Sequence, residues 1–344
     1  MIQPNIRFSA LDSLRGLAAI AVAIYHFKIT WAGYLAVDFF LVLSGFILSH
    51  SYLYKENKIS VVDFISHRLA RLYPLHFFTL FTFIAAYLFV SGKMPRYPDG
   101  TLFTFLQNLT FTQNIGLNPK GLTYNAPSWS IAVEFWVNII FILFISKETK
   151  SSTLFFIALL GLLIIYGNTG HLDTYSQNYY QWLNSGILRG ISSFFLGILS
   201  YRLYLYYKDN LSIAQRINKF EIMSIILMII IIFVRPDRLD GVDIFAPFLF
   251  MLMVFVFTYE TGILSKLLLK IRYLGEISYS IYLNQITILM LIQFYAKKYD
   301  SPVWFTLFIY LIILIIYSHF TYQYIEKPLR KKGRNFLSKI VTNQ

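Results

Sequence analysis

Apolar stretches recur ten times along this chain, at about residues 11–30, 35–54, 72–91, 127–146, 152–168, 186–207, 221–235, 244–260, 274–296 and 303–325. Most have the roughly 17 to 25 residues that an α-helix needs to cross a hydrocarbon core. The seventh, EIMSIILMIIIIFV, is short but wholly apolar, and the first and fourth are interrupted by Arg15, His26 and Glu134. The pattern predicts an all-α polytopic membrane bundle of about ten transmembrane helices. It forms one domain over residues 1–344, with a basic tail from about 326 to 344. Composition agrees: 57% of the residues are hydrophobic and 14% are charged, against roughly 25% charged in soluble domains. Too few polar residues remain to coat a soluble core, which excludes a cytosolic globular enzyme. The 33 Phe, 26 Tyr and 5 Trp suit lipid-facing and headgroup-level surfaces. With no cysteine, disulfides, thiolate nucleophiles, acyl-cysteine intermediates and cysteine-ligated metals are excluded.

The net charge of +13 fits nucleic acid or an uneven distribution of Lys and Arg across a membrane. Placing the N-terminus inside puts twenty of the 30 Lys and Arg in inner segments and nine in outer loops. That asymmetry predicts cytoplasmic termini, and no nucleic-acid partner. The tail EKPLRKKGRNFLSK reads as an anchor beside anionic lipid. Ala21, Val22 and Ala23 resemble a signal-peptidase site, but a cut there would leave a hydrophobic chain that must insert anyway, so no cleavage is expected.

Ionisable side chains within a span are costly and mark candidate sites. They are Arg15, His26, Asp38, Glu134 and Arg189. His76 and His319 read as hydrogen-bonded core residues, and His50, His67 and His171 fall at loops or interfaces without a specific signal. Arg15 and His26 are eleven residues apart, about 20° from three full helical turns, so they share a helix face at a separation of roughly 16 Å. They fit a functional axis or, equally, an arginine snorkelling to the interface with a satisfied histidine.

Arg68 and Arg71 lie in SVVDFISHRLARLYPL, which opens with Ser60 and Asp63 in capping-box spacing and continues as an amphipathic helix ending near Pro74. Two arginines three apart repel unless an anion lies between them, either lipid phosphate or a bound polyanion. The outer segment from Gly92 to Ala126 holds Asn118, Pro119, Gly121 and Asn125, with Pro127 just beyond. These residues predict irregular backbone that needs water or a protein cavity. Glu134 follows two turns into the next helix, where it must be paired or hydrogen-bonded. Asp38 sits just before FFLVLSGF, whose Ser44 and Gly45 suit close helix packing.

Taken in order, LDSLRGLAAIAVAIYHF, VDFFLVLSGFILS, RLARLYPL, PSWSIAVEFW, LGEISYSIYL and IEKPLRK resemble the acyltransferase-3 family of integral membrane acyltransferases, from about Leu11 to Lys331. The resemblance implies transfer of an acyl group, usually acetyl from acetyl-CoA, to a sugar hydroxyl of a surface or exported glycan. It also implies a bacterial-type inner membrane. The family's Arg-x10-His element corresponds to Arg15 and His26, its Arg-x-x-Arg element to Arg68 and Arg71, and its serine-to-glutamate motif to Ser130 and Glu134. Many members have a histidine after SYSIYL, where this chain has Asn284 and Gln285, amides that do not titrate. Some members carry a second, soluble esterase-like domain, which these residues do not include.

The resulting expectation is an enzyme with acetyl-CoA as co-substrate, a carbohydrate acceptor and no metal. Arg15, Arg68 and Arg71 would bind the donor's phosphates, and His26 would be the general base, oriented by Glu134 or Asp38. Ser130, Trp129 and Asn125 are candidate acceptor or oxyanion contacts. A covalent relay through His26 or a serine, and a transporter that makes no bond, are the competing readings. The oligomeric state is open.

Overall fold

The computed structural model describes residues 7–29, 32–54, 59–117, 121–233 and 241–342. Among the described residues the regular secondary structure is helical except for one small hairpin. In chain order the helices are α1 (Ser9–His26), α2 (Ala36–Leu48), α3 (Val61–Ser91), α4 (Thr101–Leu109), α5 (Trp129–Phe144), α6 (Ser151–Thr169), α7 (Ser185–Tyr207) and α8 (Leu211–Phe233). There follow α9 (Ala246–Phe257), α10 (Ile263–Leu268), α11 (Arg272–Glu276), α12 (Ser278–Lys298), α13 (Val303–Thr321) and α14 (Lys327–Thr342). Strands β1 (Asn178–Tyr179) and β2 (Leu183–Asn184) pair antiparallel between α6 and α7. Single π-helical turns, Ser49–Leu53 and Tyr322–Glu326, extend α2 and α13.

Each of the ten apolar stretches falls on a helix, but fewer meet the requirements of a span. Five helical segments among the described residues are long and apolar enough to cross a membrane, or six if the pair Ile263–Glu276 and Ser278–Lys298, bent by 59°, counts as one. Charge and length explain the shortfall. Helix α1 carries Arg15 and His26, α8 carries Arg216, Lys219 and Glu221, and α9 has only 12 residues, or about 18 Å of rise.

Helix α3 also departs from expectation. Ser60 caps it as its spacing predicts, Oγ accepting from the Asp63 N–H at 3.0 Å. Instead of ending near Pro74, however, it runs unbroken for 31 residues to Gly92, whose left-handed φ of 69° closes it. A packed bundle tolerates a proline within a helix; close by, the Tyr279 hydroxyl donates to the Leu72 carbonyl at 2.7 Å and ties α3 to α12. The segment after α3 is not wholly irregular either, since α4 forms within it. Asn118 and Pro119 lie outside the described residues.

The centre of the bundle is built on close backbone approach. A Cβ added at Gly45 of α2 would overlap the Phe194 carbonyl of α7, and one at Gly197 would overlap the Val42 carbonyl. Small residues at both positions let the two helices touch main chain to main chain. Helix α1 packs likewise on α11, where a Cβ at Gly16 or Gly275 would collide with Leu274 or Asp12. Helices α5 and α12 complete the walls of the cavities described next.

Candidate active site

Two cavities lie in this frame. The first is lined by Arg15, Arg68, Arg71, Glu134, Ser130 and Tyr279 among others. Arg15 is fixed by α11 and α12, its Nε donating to Ser278 Oγ at 2.8 Å and its Nη2 to the Gly275 carbonyl at 2.6 Å. Asp12 lies 3.5 Å from Arg15 but is shared with Arg7, which holds it at 2.9 Å. The buried Arg68 pairs with Glu134 at 2.7 Å, and Ser44 Oγ donates to the same carboxylate oxygen at 3.1 Å. Arg68 Nε is buried without a partner. Arg71 makes no hydrogen bond or ion pair within 4 Å among the described residues. The cavity thus presents three guanidinium groups to one lining carboxylate, with donor capacity unused on two of them. Its walls are suited to a polyanion.

The second cavity is lined by His26, Tyr25, Trp129, Asp173, Tyr175 and Arg189 with several apolar side chains. His26 Nδ1 lies 3.2 Å from Gln285 Oε1. The other end of that amide, Nε2, donates to the Tyr282 carbonyl at 2.9 Å. A carbonyl can only accept, so the amide is fixed with its oxygen toward the ring, and His26 must carry its proton on Nδ1. Nε2 is left with a lone pair, the form a general base needs. Trp129 and Tyr175 stand 5.6 Å apart, centroid to centroid, and the Asp173 carboxylate accepts from the Tyr25 hydroxyl at 3.4 Å. An aromatic wall beside a partly exposed carboxylate can stack on an apolar ring face and accept from its hydroxyls.

The expected site residues are therefore divided. Arg15, Arg68, Arg71, Glu134 and Ser130 face the first cavity, while His26 and Trp129 face the second. Arg15 and His26 do share a face, since Arg15 bonds Ser278 and His26 bonds Gln285 on the same helix, α12. Asp38 and Glu134 do not orient His26. Glu134 is held by Arg68. Asp38, fully buried, is bound by Arg189 through Nε at 3.0 Å and Nη2 at 2.5 Å and accepts from Ser193 Oγ at 2.9 Å. A buried carboxylate takes the nearest strong donor, and for Asp38 that is the arginine of α7. Asn125 lines neither cavity; its Nδ2 donates to the Leu283 carbonyl at 2.8 Å. His76 is a buried core residue hydrogen-bonded through Nε2, 2.7 Å from the Asn108 carbonyl, with its Nδ1 buried without a partner, whereas His319 lies at the periphery, 2.5 Å from the Tyr273 hydroxyl. His50 contacts the Tyr201 hydroxyl at 3.1 Å.

Also belonging here are Gln285, noted in the sequence only as standing where many family members have a histidine, Tyr282, Tyr279, Ser44, noted only for helix packing, and Asp173. The first three lie within or beside SYSIYL, at helical spacings from Ser278 that a face-by-face reading of that motif could have placed opposite Arg15 and His26. Asp173 gives no such signal, because a loop aspartate looks like any solvated one.

The acyltransferase-3 family, an acyltransferase domain, matches residues 8–321, and the chain belongs to that family of membrane acyltransferases. It is similar to the O-acetyltransferase OatA of Staphylococcus aureus, 24% identical over 94% of this chain and 57% of the relative. It also resembles "Protein 2 in picA locus" of Rhizobium radiobacter, 32% identical over 47% of this chain and 95% of the relative. The chain therefore spans little more than half the length of the OatA relatives it matches. No solved structure matches it.

Proposed function

We propose that this protein is an O-acetyltransferase that takes acetyl-CoA from the cytoplasm and delivers its acetyl group to a sugar hydroxyl of a surface or exported glycan. In this reading the chain is one membrane domain that crosses a bacterial-type inner membrane about ten times, with both termini cytoplasmic. The observation that carries it is the placement of an arginine-lined cavity and a histidine-bearing aromatic cavity on either side of one shared wall.

The first cavity fits a CoA donor by its chemistry. Arg68 has a buried Nε with no partner, and Arg71 and Arg15 supply further forks for phosphate oxygens. Bound there, the donor supplies an activated acyl carbon. His26 Nε2 removes the proton of the acceptor hydroxyl as that oxygen bonds to the acyl carbon. The carbon–sulfur bond breaks, and the proton is returned to the leaving thiolate. Gln285 keeps the ring in the tautomer this requires. Trp129, Tyr175 and Asp173 hold the acceptor.

The test is acetyl transfer to purified glycan by the protein in proteoliposomes, together with the acetyl content of surface glycan in cells carrying His26→Ala. Loss of acetyl with polymer still exported is the expected result. Loss of export with normal acetylation of intracellular polymer would instead make the chain a transporter.

A further inference from the structure

Tyr282 and Val37 are the only described residues that line both cavities. Tyr282 is 4% exposed, and its ring stands edge-on to Phe40 of α2 at 5.6 Å. Its hydroxyl lies 2.8 Å from Ser130 Oγ and donates to the Pro127 carbonyl at 3.2 Å, and Ser130 Oγ reaches the same carbonyl at 3.1 Å. Two hydroxyls and one carbonyl thereby latch α12 to the start of α5. Ser130 faces one cavity and its neighbour Trp129 the other, so the latch closes where the two approach each other.

A thioester on the arginine side meets His26 only if this wall opens. We propose that Tyr282 is the partition between the donor and acceptor cavities, a positioning residue that keeps water away from the thioester until an acceptor hydroxyl is in place. It opens by breaking its bonds to Ser130 and Pro127. The inference rests on the acyltransfer reading above. It has a defined chemical consequence, because a wall that leaks admits water in place of the sugar. Water's oxygen then bonds to the acyl carbon, the carbon–sulfur bond breaks, and the two protons of water end on acetate and on the CoA thiol. Tyr282 also anchors the base through its backbone carbonyl, which holds Gln285. Substituting its side chain therefore changes the wall and leaves that anchor in place.

The test measures CoA thiol release from acetyl-CoA, without glycan, by the full-length protein in proteoliposomes, alongside acetyl-CoA binding by calorimetry. Tyr282→Phe removes the latch but keeps the ring, and is expected to raise acceptor-independent release about fivefold, the rate change that one ordinary hydrogen bond is worth. Tyr282→Ala removes the wall and is expected to raise it further while transfer to glycan falls. Release at the wild-type rate by variants that bind acetyl-CoA normally would overturn the partition. Should the alanine variant no longer bind acetyl-CoA, the phenylalanine variant decides by the same criterion. Failure of the wild-type chain to bind acetyl-CoA would overturn the donor reading itself, and the partition with it.

Discussion

His26 and Gln285 are in hydrogen-bond contact: Nδ1 lies 3.2 Å from Oε1, and the amide's other end is tied to its own helix at the Tyr282 carbonyl. In the proposed reaction this neutral side chain would do for the imidazole what a carboxylate does in a catalytic triad, without adding a charge to the interior of the membrane.

Removing the base is expected to lower acetyl transfer by His26→Ala by about 10²- to 10⁴-fold, the range for general base catalysis. Acetyl-CoA affinity should stay unchanged, since the arginines lie in the other cavity. Gln285→Leu should reduce kcat with little change in KM for acetyl-CoA. Steady-state kinetics on both variants checks this, and full activity in Gln285→Leu would dismiss the orienting role.

Arg71 and Arg68 should separate binding from stability. Among the described residues Arg71 makes no ion pair within 4 Å, so Arg71→Ala is expected to weaken acetyl-CoA binding about 10- to 100-fold, the equivalent of about 1.5 to 3 kcal/mol for a charge-assisted hydrogen bond. Its melting temperature should hold. Arg68→Ala strips Glu134 of its partner and should lower both, with Glu134→Gln restoring part of the stability. Calorimetry and thermal-shift measurements in detergent distinguish the two.

The Asp38–Arg189 pair should behave as scaffold. Because both groups are buried and paired through two arginine nitrogens, Asp38→Ala should destabilise the protein by about 3 to 5 kcal/mol, and a paired Asp38→Leu, Arg189→Met replacement should recover much of that. Activity per folded molecule in the double variant is the deciding measurement. If it is retained, Asp38 has no part in the chemistry.

Where α2 and α7 meet main chain to main chain, there is no room for a side chain. Gly45→Val or Gly197→Val should therefore lower the yield of folded protein, by overpacking worth about 1 to 3 kcal/mol or more. Size-exclusion profiles and melting temperatures report it. Gly92→Ala, at a site with nothing within 4 Å of an added Cβ, should cost only the strain of its positive φ.

What the sequence made legible was whatever depends on position along one helix. The helical period put Arg15 and His26 on one face, the spacing of Ser60 and Asp63 marked the start of α3, and the apolar runs marked where helices lie. Partners across helices were not legible. Nothing local tells Glu134 that it will meet Arg68, or Asp38 that it will meet Arg189, because a buried carboxylate's partner is chosen by tertiary packing. Tyr282 was hidden for a different reason: among 26 tyrosines, one more in an apolar motif carries no contrast. Pro74 misled because a proline that would end a helix in water is tolerated inside a packed bundle.

The unbroken course of α3 has a consequence for depth. Its 31 residues form a rod of about 46 Å, longer than a hydrocarbon core of about 30 Å, so it must tilt or stand proud of the bilayer. Arg68 and Arg71 sit two to three turns from its start, close to where such a rod would pass the lipid phosphates. The level of these two arginines relative to the bilayer is thus set by the length of one helix, as a ruler sets a mark, and inserting or deleting one turn ahead of Arg68 would move that mark by about 5.4 Å.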